Sequence, residues 1–351
     1  GWLMDRVGRR LGISIAFMAA IVGAGAGALS VLQGIYWMFI AGSFLIGMSR
    51  SAIEQTRYVA AEVSPRGKRA KAIGLIVFSS AVGSLASRMV MGINDQLTEI
   101  IGITYLAGPW LLTIVLMGIA ILLNQVFLRP DPMRLGQQVA SREEDSETRS
   151  TRTMRPMGEI FRLPNVIMAV AVMALAQIGM VVVMVVTPLH IDYEGYGTLS
   201  ISTALMLHTL GMFAFASITG WLVGRLGRMP VVWMGVILMF GAGFAGYAAV
   251  TLVSLYFAVF LLGLGWNLCY IAGSTLFSDE LISQERGRAQ GISEVVVAMS
   301  AAVGSLASGS IYGAYGYSGV NIAALAVVGF IAISVLITRG TVNAAGTFNP
   351  E

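Results

Sequence analysis

Long apolar stretches alternate with short polar ones along the whole chain. Ten of the apolar stretches approach or exceed the roughly 20 residues that an α-helix needs to cross a bilayer. They are, approximately, Ile13–Leu32, Tyr36–Arg57, Ala70–Met91 and Gly108–Leu128, then Val166–Pro188, Ser200–Gly220, Val231–Ala249, Leu252–Phe277, Gly287–Tyr312 and Val320–Thr338. A barrel strand would be about 10 residues of strict alternation. The pattern therefore predicts an all-α integral membrane protein.

The polar segments fall into two kinds. Arg6, Arg9 and Arg10 precede the first predicted span, and Arg66, Lys68, Arg69 and Lys71 lie between the second and third. Seven arginines, from Arg129 to Arg162, separate the fourth from the fifth. Arg225 and Arg228 follow the sixth, Arg286 and Arg288 the eighth, and Arg339 the tenth. The alternate loops, Val31–Ile35, Gly92–Ala107, Leu189–Leu199, Thr251 and Gly313–Gly319, hold no Lys or Arg. Basic loops stay on the cytoplasmic side, which predicts both observed ends to be cytoplasmic. The long connection Arg129–Pro164 is polar and charge-rich, a composition that buries no core. The predicted organisation is an N-terminal bundle over 1–129, a linker over 130–164, a C-terminal bundle over 165–340 and a tail over 341–351.

The two halves echo each other. Gly1-Trp2-Leu3-Met4-Asp5-Arg6-Val7-Gly8-Arg9-Arg10 returns as Gly220-Trp221-Leu222-Val223-Gly224-Arg225-Leu226-Gly227-Arg228-Met229, with six of ten positions identical at an offset of 219 (220 minus 1). Ala81-Val82-Gly83-Ser84-Leu85-Ala86-Ser87 recurs from Ala302 to Ser308, at an offset of 221 (302 minus 81). Arg69-Ala70-Lys71-Ala72-Ile73 pairs with Arg288-Ala289-Gln290-Gly291-Ile292, again at 219 (288 minus 69). Echoes in one order at nearly one offset indicate two copies of one structural unit. With four spans in the first half and six in the second, the duplication predicts that the first half lacks its first two helices. The chain also opens without Met, inside a motif, and is read as truncated at its N-terminus.

Composition narrows the function. The chain is 56% hydrophobic and 11% charged, with net charge +4 and mean hydropathy +0.79. Soluble domains carry about 25% charged residues, so lipid is the expected solvent. One cysteine, Cys269, and two histidines, His190 and His208, allow no intrachain disulfide and no histidine or cysteine metal cluster. An enzyme would need a nucleophile or metal set converging at one depth, and these residues do not supply it. There is no Gly-x-x-x-x-Gly-Lys-Ser/Thr phosphate loop. No cofactor, metal or nucleic acid is expected. The expected partners are the bilayer, a small-molecule substrate and a coupling ion, acting on a monomer.

The opening motif and its decayed copy resemble the signature of the major facilitator superfamily. So do Arg57-Tyr58 with Ala60-Ala61-Glu62, Leu128-Arg129-Pro130-Asp131-Pro132, Thr187-Pro188-Leu189-His190, Leu207-His208-Thr209-Leu210-Gly211-Met212-Phe213, Gly263-Leu264-Gly265-Trp266 and Arg288-Ala289-Gln290-Gly291, which are similar to a group of bacterial members. The resemblance implies two six-helix bundles around a central cavity, working by alternating access. The ten spans would be the third to twelfth of twelve. It implies a bacterial cytoplasmic-membrane transporter, with Gly1, Asp5, Arg6, Gly8 and Arg9, and their echoes Gly220, Arg225, Gly227 and Arg228, as a gating motif. Asp5 would face a helix N-terminus near Gln290–Gly291, where the dipole favours a carboxylate.

Other residues carry candidate chemistry. Arg50, Glu54 and Arg57 share one helix face at spacings i, i+4 and i+7. They read either as a proton-coupling or substrate-anion site, or as a structural pair with Arg57 reaching to water. His208, halfway along its span, is either a proton acceptor or a packing residue. Glu294, about two turns into its span, is either a proton carrier or a helix-end partner. Gln177, Trp266, Asn267 and Tyr270 read as substrate contacts, a mostly apolar wall with a few polar handles, or as packing. Methionines on one span, Met168, Met173, Met180 and Met184, suit an adaptable pocket. The functional expectation is proton-coupled efflux of a small, partly hydrophobic molecule. Uptake of a metabolite or organic anion, and a transport-inactive scaffold or sensor, stand as alternatives.

Overall fold

A computed structural model describes residues 2–54, 56–64, 69–144, 155–281 and 283–344, some of them, including Asp5, Glu54 and Arg57, by backbone alone. Gly1, Arg66 and Lys68 lie outside the described residues. Every regular element among the described residues is an α-helix. Two compact units, Gly1–Ser150 and Thr151–Glu351, divide the chain.

The first unit holds α1 (Trp2–Val7), α2 (Arg9–Gln33), α3 (Tyr36–Glu54), α4 (Thr56–Glu62), α5 (Arg69–Ile101), α6 (Gly108–Phe127) and α7 (Pro132–Glu144). The second holds α8 (Met157–Ile160), α9 (Pro164–Tyr193), α10 (Thr198–Phe213), α11 (Ala216–Leu226), α12 (Arg228–Tyr247), α13 (Leu252–Asp279) and α14 (Ser283–Ala344). Among the described residues, seven stretches are long and apolar enough to cross a membrane: α2, α6, α9, α10 with α11, α12, α13 and 288–336 within α14. Gly316, at φ 64° and ψ −164°, breaks α14 into two helices. With α3 and α5, the predicted spans coincide with helices, except that Ser200–Gly220 is divided between α10 and α11 and Tyr36–Arg57 runs from α3 into α4.

Helices in lipid gain little from apolar burial, so they associate through close packing of small residues. Both units cross their helices in this way. A Cβ on Gly23 of α2 would lie 2.7 Å from the Gly42 carbonyl oxygen of α3. A Cβ on Gly235 of α12 would lie 2.9 Å from the Gly265 carbonyl oxygen of α13. In the second unit the repeated small-residue run also packs. Ser308 donates to the Val182 carbonyl at 2.6 Å, tying α14 to α9.

Three segments depart from the sequence expectation. The loop expected over Gly92–Ala107 is helical as far as Ile101. Two of its polar residues turn inward, Asn94 and Thr98, which are buried against Gly108, and Gly102, at φ 71°, ends the helix by donating to the Thr98 carbonyl. The linker opens with α7 rather than an unstructured run. Asp131 caps it, accepting from Met133 N at 2.9 Å, and Pro132 begins it, the position where a missing N–H costs nothing. The loop expected over Gly313–Gly319 is helix on both sides of Gly316 alone.

Candidate functional site

The opening motif forms a network at one end of the first unit. Gly8, at φ 91° and ψ 160°, turns the chain from α1 into α2. It has no side chain with which to cap α2, and Asp131, distant in the chain but adjacent in space, does this. Its carboxylate accepts from Arg9 N at 3.2 Å and Arg10 N at 3.1 Å. A carboxylate there meets unsatisfied N–H groups and the positive end of the helix dipole. The Arg9 guanidinium grips Glu62 at the end of α4 through two bonds, Nε to Oε2 at 3.0 Å and a terminal nitrogen to Oε1 at 3.2 Å. Arg10 donates to both the backbone and side-chain oxygens of Gln125 on α6. Asn124 closes the ring by donating to the Arg10 carbonyl at 2.9 Å and to Ser14 Oγ at 2.7 Å. Three sequence signatures that lie far apart in the chain, around Arg9, Glu62 and Asp131, are thus one site.

The second copy keeps part of this design. Gly227 has φ 87° and ψ 170° between α11 and α12. Arg228, the echo of Arg9, pairs with Asp279 at the end of α13, at 2.7 Å. Arg225 stacks over the Trp221 ring, 5.3 Å from its centroid. Nearby, Arg155 binds Glu285 from three directions: backbone N at 2.9 Å, Nε at 3.0 Å and a terminal nitrogen at 2.8 Å. Glu285 is fully buried, and its carboxylate holds the Arg155 guanidinium above its usual pKa. This pair was not anticipated, because nothing in the sequence joins a linker arginine to a helix start 130 residues away.

Deeper in the second unit, four of the expected site residues meet. Trp266 Nε1 on α13 donates to Gln177 Oε1 on α9 at 2.9 Å. Trp266 stacks on Tyr270, with centroids 4.7 Å apart and planes 16° from parallel. Tyr270 Oη then donates to Glu294 Oε1 on α14 at 2.9 Å. The result is a chain across three helices, with an amide at one end, a carboxylate at the other and stacked aromatic rings between. Gln177, Tyr270 and Glu294 are each part-exposed.

The other candidates stand apart from this chain. Asn267 is buried, accepts from Thr219 Oγ1 at 2.5 Å and donates to the Met212 carbonyl at 2.5 Å, next to the break between α10 and α11. His208 on α10 is buried, with Nδ1 2.9 Å from the Val259 carbonyl oxygen of α13. A carbonyl oxygen only accepts, so Nδ1 carries the proton and Nε2 presents a lone pair. Nε2 is buried with no hydrogen-bond partner among the described residues. Arg50 is exposed on α3 and Arg6 on α1. The side chains of Asp5 and Glu54 lie outside the described residues, so the pairing of Glu54 with Arg50 rests on helical spacing. His190 stacks on Tyr317, with ring centroids 4.2 Å apart. Among the described residues no group of three His, Cys, Asp or Glu is placed to hold a metal ion.

A duplicated helical unit, a basic turn repeated at both copies and a polar chain within a membrane-embedded bundle define a polytopic transporter. The model of the Major Facilitator Superfamily matches residues 1–282 and 201–350, and the chain belongs to that family. It is a multi-pass membrane transporter of small molecules and not an enzyme. The chain is 30% identical to the uncharacterized MFS-type transporter YdeG of Bacillus subtilis, over 90% of this chain and 74% of that protein. It is 22% identical to the riboflavin transporter RfnT of Brucella anthropi, over 96% of this chain and 81% of that protein. Its fold is similar to the crystal structure of a bacterial homologue of the iron transporter ferroportin in an outward-facing state. That similarity has a TM-score of 0.58 and 15% identity, and covers 96% of this chain and 85% of the other.

Proposed function

We propose that this protein is a secondary active transporter of the bacterial cytoplasmic membrane, driven by protons, that exports a small, partly hydrophobic organic molecule. The observation that supports this most is the hydrogen bond from Tyr270 to Glu294, which ties a carboxylate inside the bundle to an aromatic wall. Protonating Glu294 removes a charge from the acceptor end of that wall, so proton binding and substrate binding act on one set of atoms. His208 is a second proton acceptor through the lone pair on Nε2. Arg50 with Glu54 is a third candidate coupling site. The networks around Gly8 and Gly227 hold the cytoplasmic helix ends, both observed ends of the chain being cytoplasmic. Asp5 is the carboxylate of the gating motif. The protein acts as a monomer.

A second reading is uptake of a metabolite; the likeness to a riboflavin transporter supports a metabolite as the cargo and leaves the direction to experiment. One experiment separates the two readings. The purified protein is placed in liposomes under an imposed pH gradient, and lumenal pH is followed while pools of lipophilic cations, flavins, sugars and organic acids are added. Efflux predicts proton movement opposite to substrate, whereas uptake predicts co-movement. Proton flux that survives Glu294→Gln unchanged would remove Glu294 from the coupling step.

A further inference from the structure

We infer that the segment from Arg155 to Leu163 is a strap that holds the ends of α9, α13 and α14 together, and that its release opens this end of the second unit while the rest of the unit stays packed. It is the end that carries the Gly227 turn, the cytoplasmic end on the reading above. The inference is independent of the substrate and of the coupling ion.

The strap is fastened in two unlike ways. Its first residue is an ionic latch across the junction of two helices. A terminal nitrogen of Arg155 donates both to the Glu280 carbonyl after α13, at 2.6 Å, and to Glu285 on α14, at 2.8 Å. Its middle is an apolar anchor. Ile160 is fully buried in a cluster with Val166 and Met173 of α9, Phe277 of α13, and Ala289 and Val297 of α14. Phe161 adds a ring contact with Phe277, with centroids 6.0 Å apart. Pro156 and Pro164 bound the segment, and their fixed φ angles stiffen both of its ends. Just beyond it, Asn165 on α9 donates to Glu280 Oε1 at 2.7 Å. All three helices therefore meet at the strap.

A connector held for stability alone needs only the anchor. The latch sets a carboxylate with no exposure to water beneath an arginine that is 36% exposed. Lifting Arg155 away takes three hydrogen bonds and a positive charge from Glu285. A carboxylate that loses these while still buried is strongly disfavoured, so water must reach it. Release of the strap and entry of water at the α13–α14 junction are thus one event. The opening is local because the apolar packing is divided. The cluster around Ile160 is distinct from the larger core that holds Met239, Trp266 and Cys269. Regions packed as separate cooperative units open separately.

The test uses the intact protein in lipid nanodiscs and a small maleimide, with labelling at each thiol followed by mass spectrometry. Val166→Cys places one thiol in the strap's own cluster. Cys269, buried with its sulfur 3.8 Å from the Val232 carbonyl oxygen of α12, is the internal control in the larger core. In this single variant both thiols should label slowly. Adding Arg155→Gln or Ile160→Ala should speed labelling at position 166 by about tenfold or more, since the rate follows the open population, and should leave Cys269 slow. Arg155→Lys keeps the charge and loses the fork, so it should fall between. It is the mildest change and decides the matter where the others do not fold. Faster labelling of both thiols together would mean that the segment supports the whole unit, and would overturn the strap. Unchanged labelling at position 166 in the folded variants would overturn it as well.

Discussion

Gly8 and Gly227 hold the same backbone conformation, φ 91°, ψ 160° and φ 87°, ψ 170°, at equivalent turns in the two halves of the chain. Only glycine occupies this region without strain of about 1–3 kcal/mol. The surroundings differ, however. A Cβ on Gly8 would lie 2.6 Å from the Asp131 carboxylate, whereas the nearest atom to one on Gly227 is Pro230 Cδ at 4.0 Å. Gly227→Ala therefore meets backbone strain alone, and Gly8→Ala also pushes away the cap of α2. Gly8→Ala should lower the melting temperature in nanodiscs more than Gly227→Ala. Equal effects would show that Asp131 yields without loss.

The two arginine–acid pairs are graded in the same way. Arg9 and Glu62 are 16% and 33% exposed, and their contact is two-pronged, whereas Arg228 and Asp279 are 41% and 42% exposed. Exposed pairs contribute about 0–1 kcal/mol, and a forked, half-buried pair sits at or above the top of that range. Arg9→Ala should therefore reduce stability measurably, and Arg228→Ala by little. Exchanging the charges, Arg9→Glu with Glu62→Arg, should recover part of the loss that either single change causes. A double-mutant cycle with no coupling energy would show that the arginine acts elsewhere.

Much of this architecture was legible in one dimension, because hydropathy and basic loops depend on composition along the chain and not on contacts. What escaped needed contacts. Asn94, Asp95, Thr98 and Glu99 look like a loop by polarity, yet they continue α5, since Asn94 and Thr98 bury themselves against the next helix. The Asp131-Pro132 pair is a helix-start signal carried by the sequence and masked by the polarity of the linker. Trp266, Tyr270, Gln177 and Glu294 could each be named by residue type and depth, but their order as one chain depends on the rotations of α9, α13 and α14. Asn267 is the sequence neighbour of Trp266 but stands outside the chain. Adjacent residues on a helix point about 100° apart, while Trp266 and Tyr270, four apart, share a face.

The clamp between Arg155 and Glu285 should be the most sensitive of the ion pairs to truncation. Glu285 is fully buried, and Arg155 also donates to the Glu280 carbonyl at 2.6 Å. Removing one partner of a fully buried pair typically costs about 3–5 kcal/mol, because the other charge remains desolvated; with Arg155 36% exposed, water reaches one side of this pair and the cost falls below that range. Arg155→Ala should therefore lower the melting temperature strongly. Arg155→Ala combined with Glu285→Ala should be milder than Arg155→Ala alone. A double variant as damaged as the sum of the two single variants would mean that the two residues contribute independently.

Asn267 and Tyr270 lie three residues apart on α13, yet their substitutions should fail in different assays. Asn267 is 2% exposed and has both ends of its amide engaged, by Thr219 and by the Met212 carbonyl beside the α10–α11 break. Asn267→Leu leaves the Thr219 hydroxyl and the Met212 carbonyl without their partner, which costs about 1–3 kcal/mol for each buried polar group. Its effect should appear as lost stability, with substrate affinity unchanged in the protein that remains folded. Tyr270 is part-exposed, and its hydroxyl reaches Glu294. Tyr270→Phe keeps the ring stacked on Trp266 and removes one donor, so stability should change by less than about 1 kcal/mol. What should change is transport itself. Tyr270→Phe removes the bond between the aromatic wall and the Glu294 carboxylate, so the transport rate in liposomes should fall while the melting temperature stays near that of the wild type. An unchanged rate would mean that the Tyr270–Glu294 bond plays no part in transport.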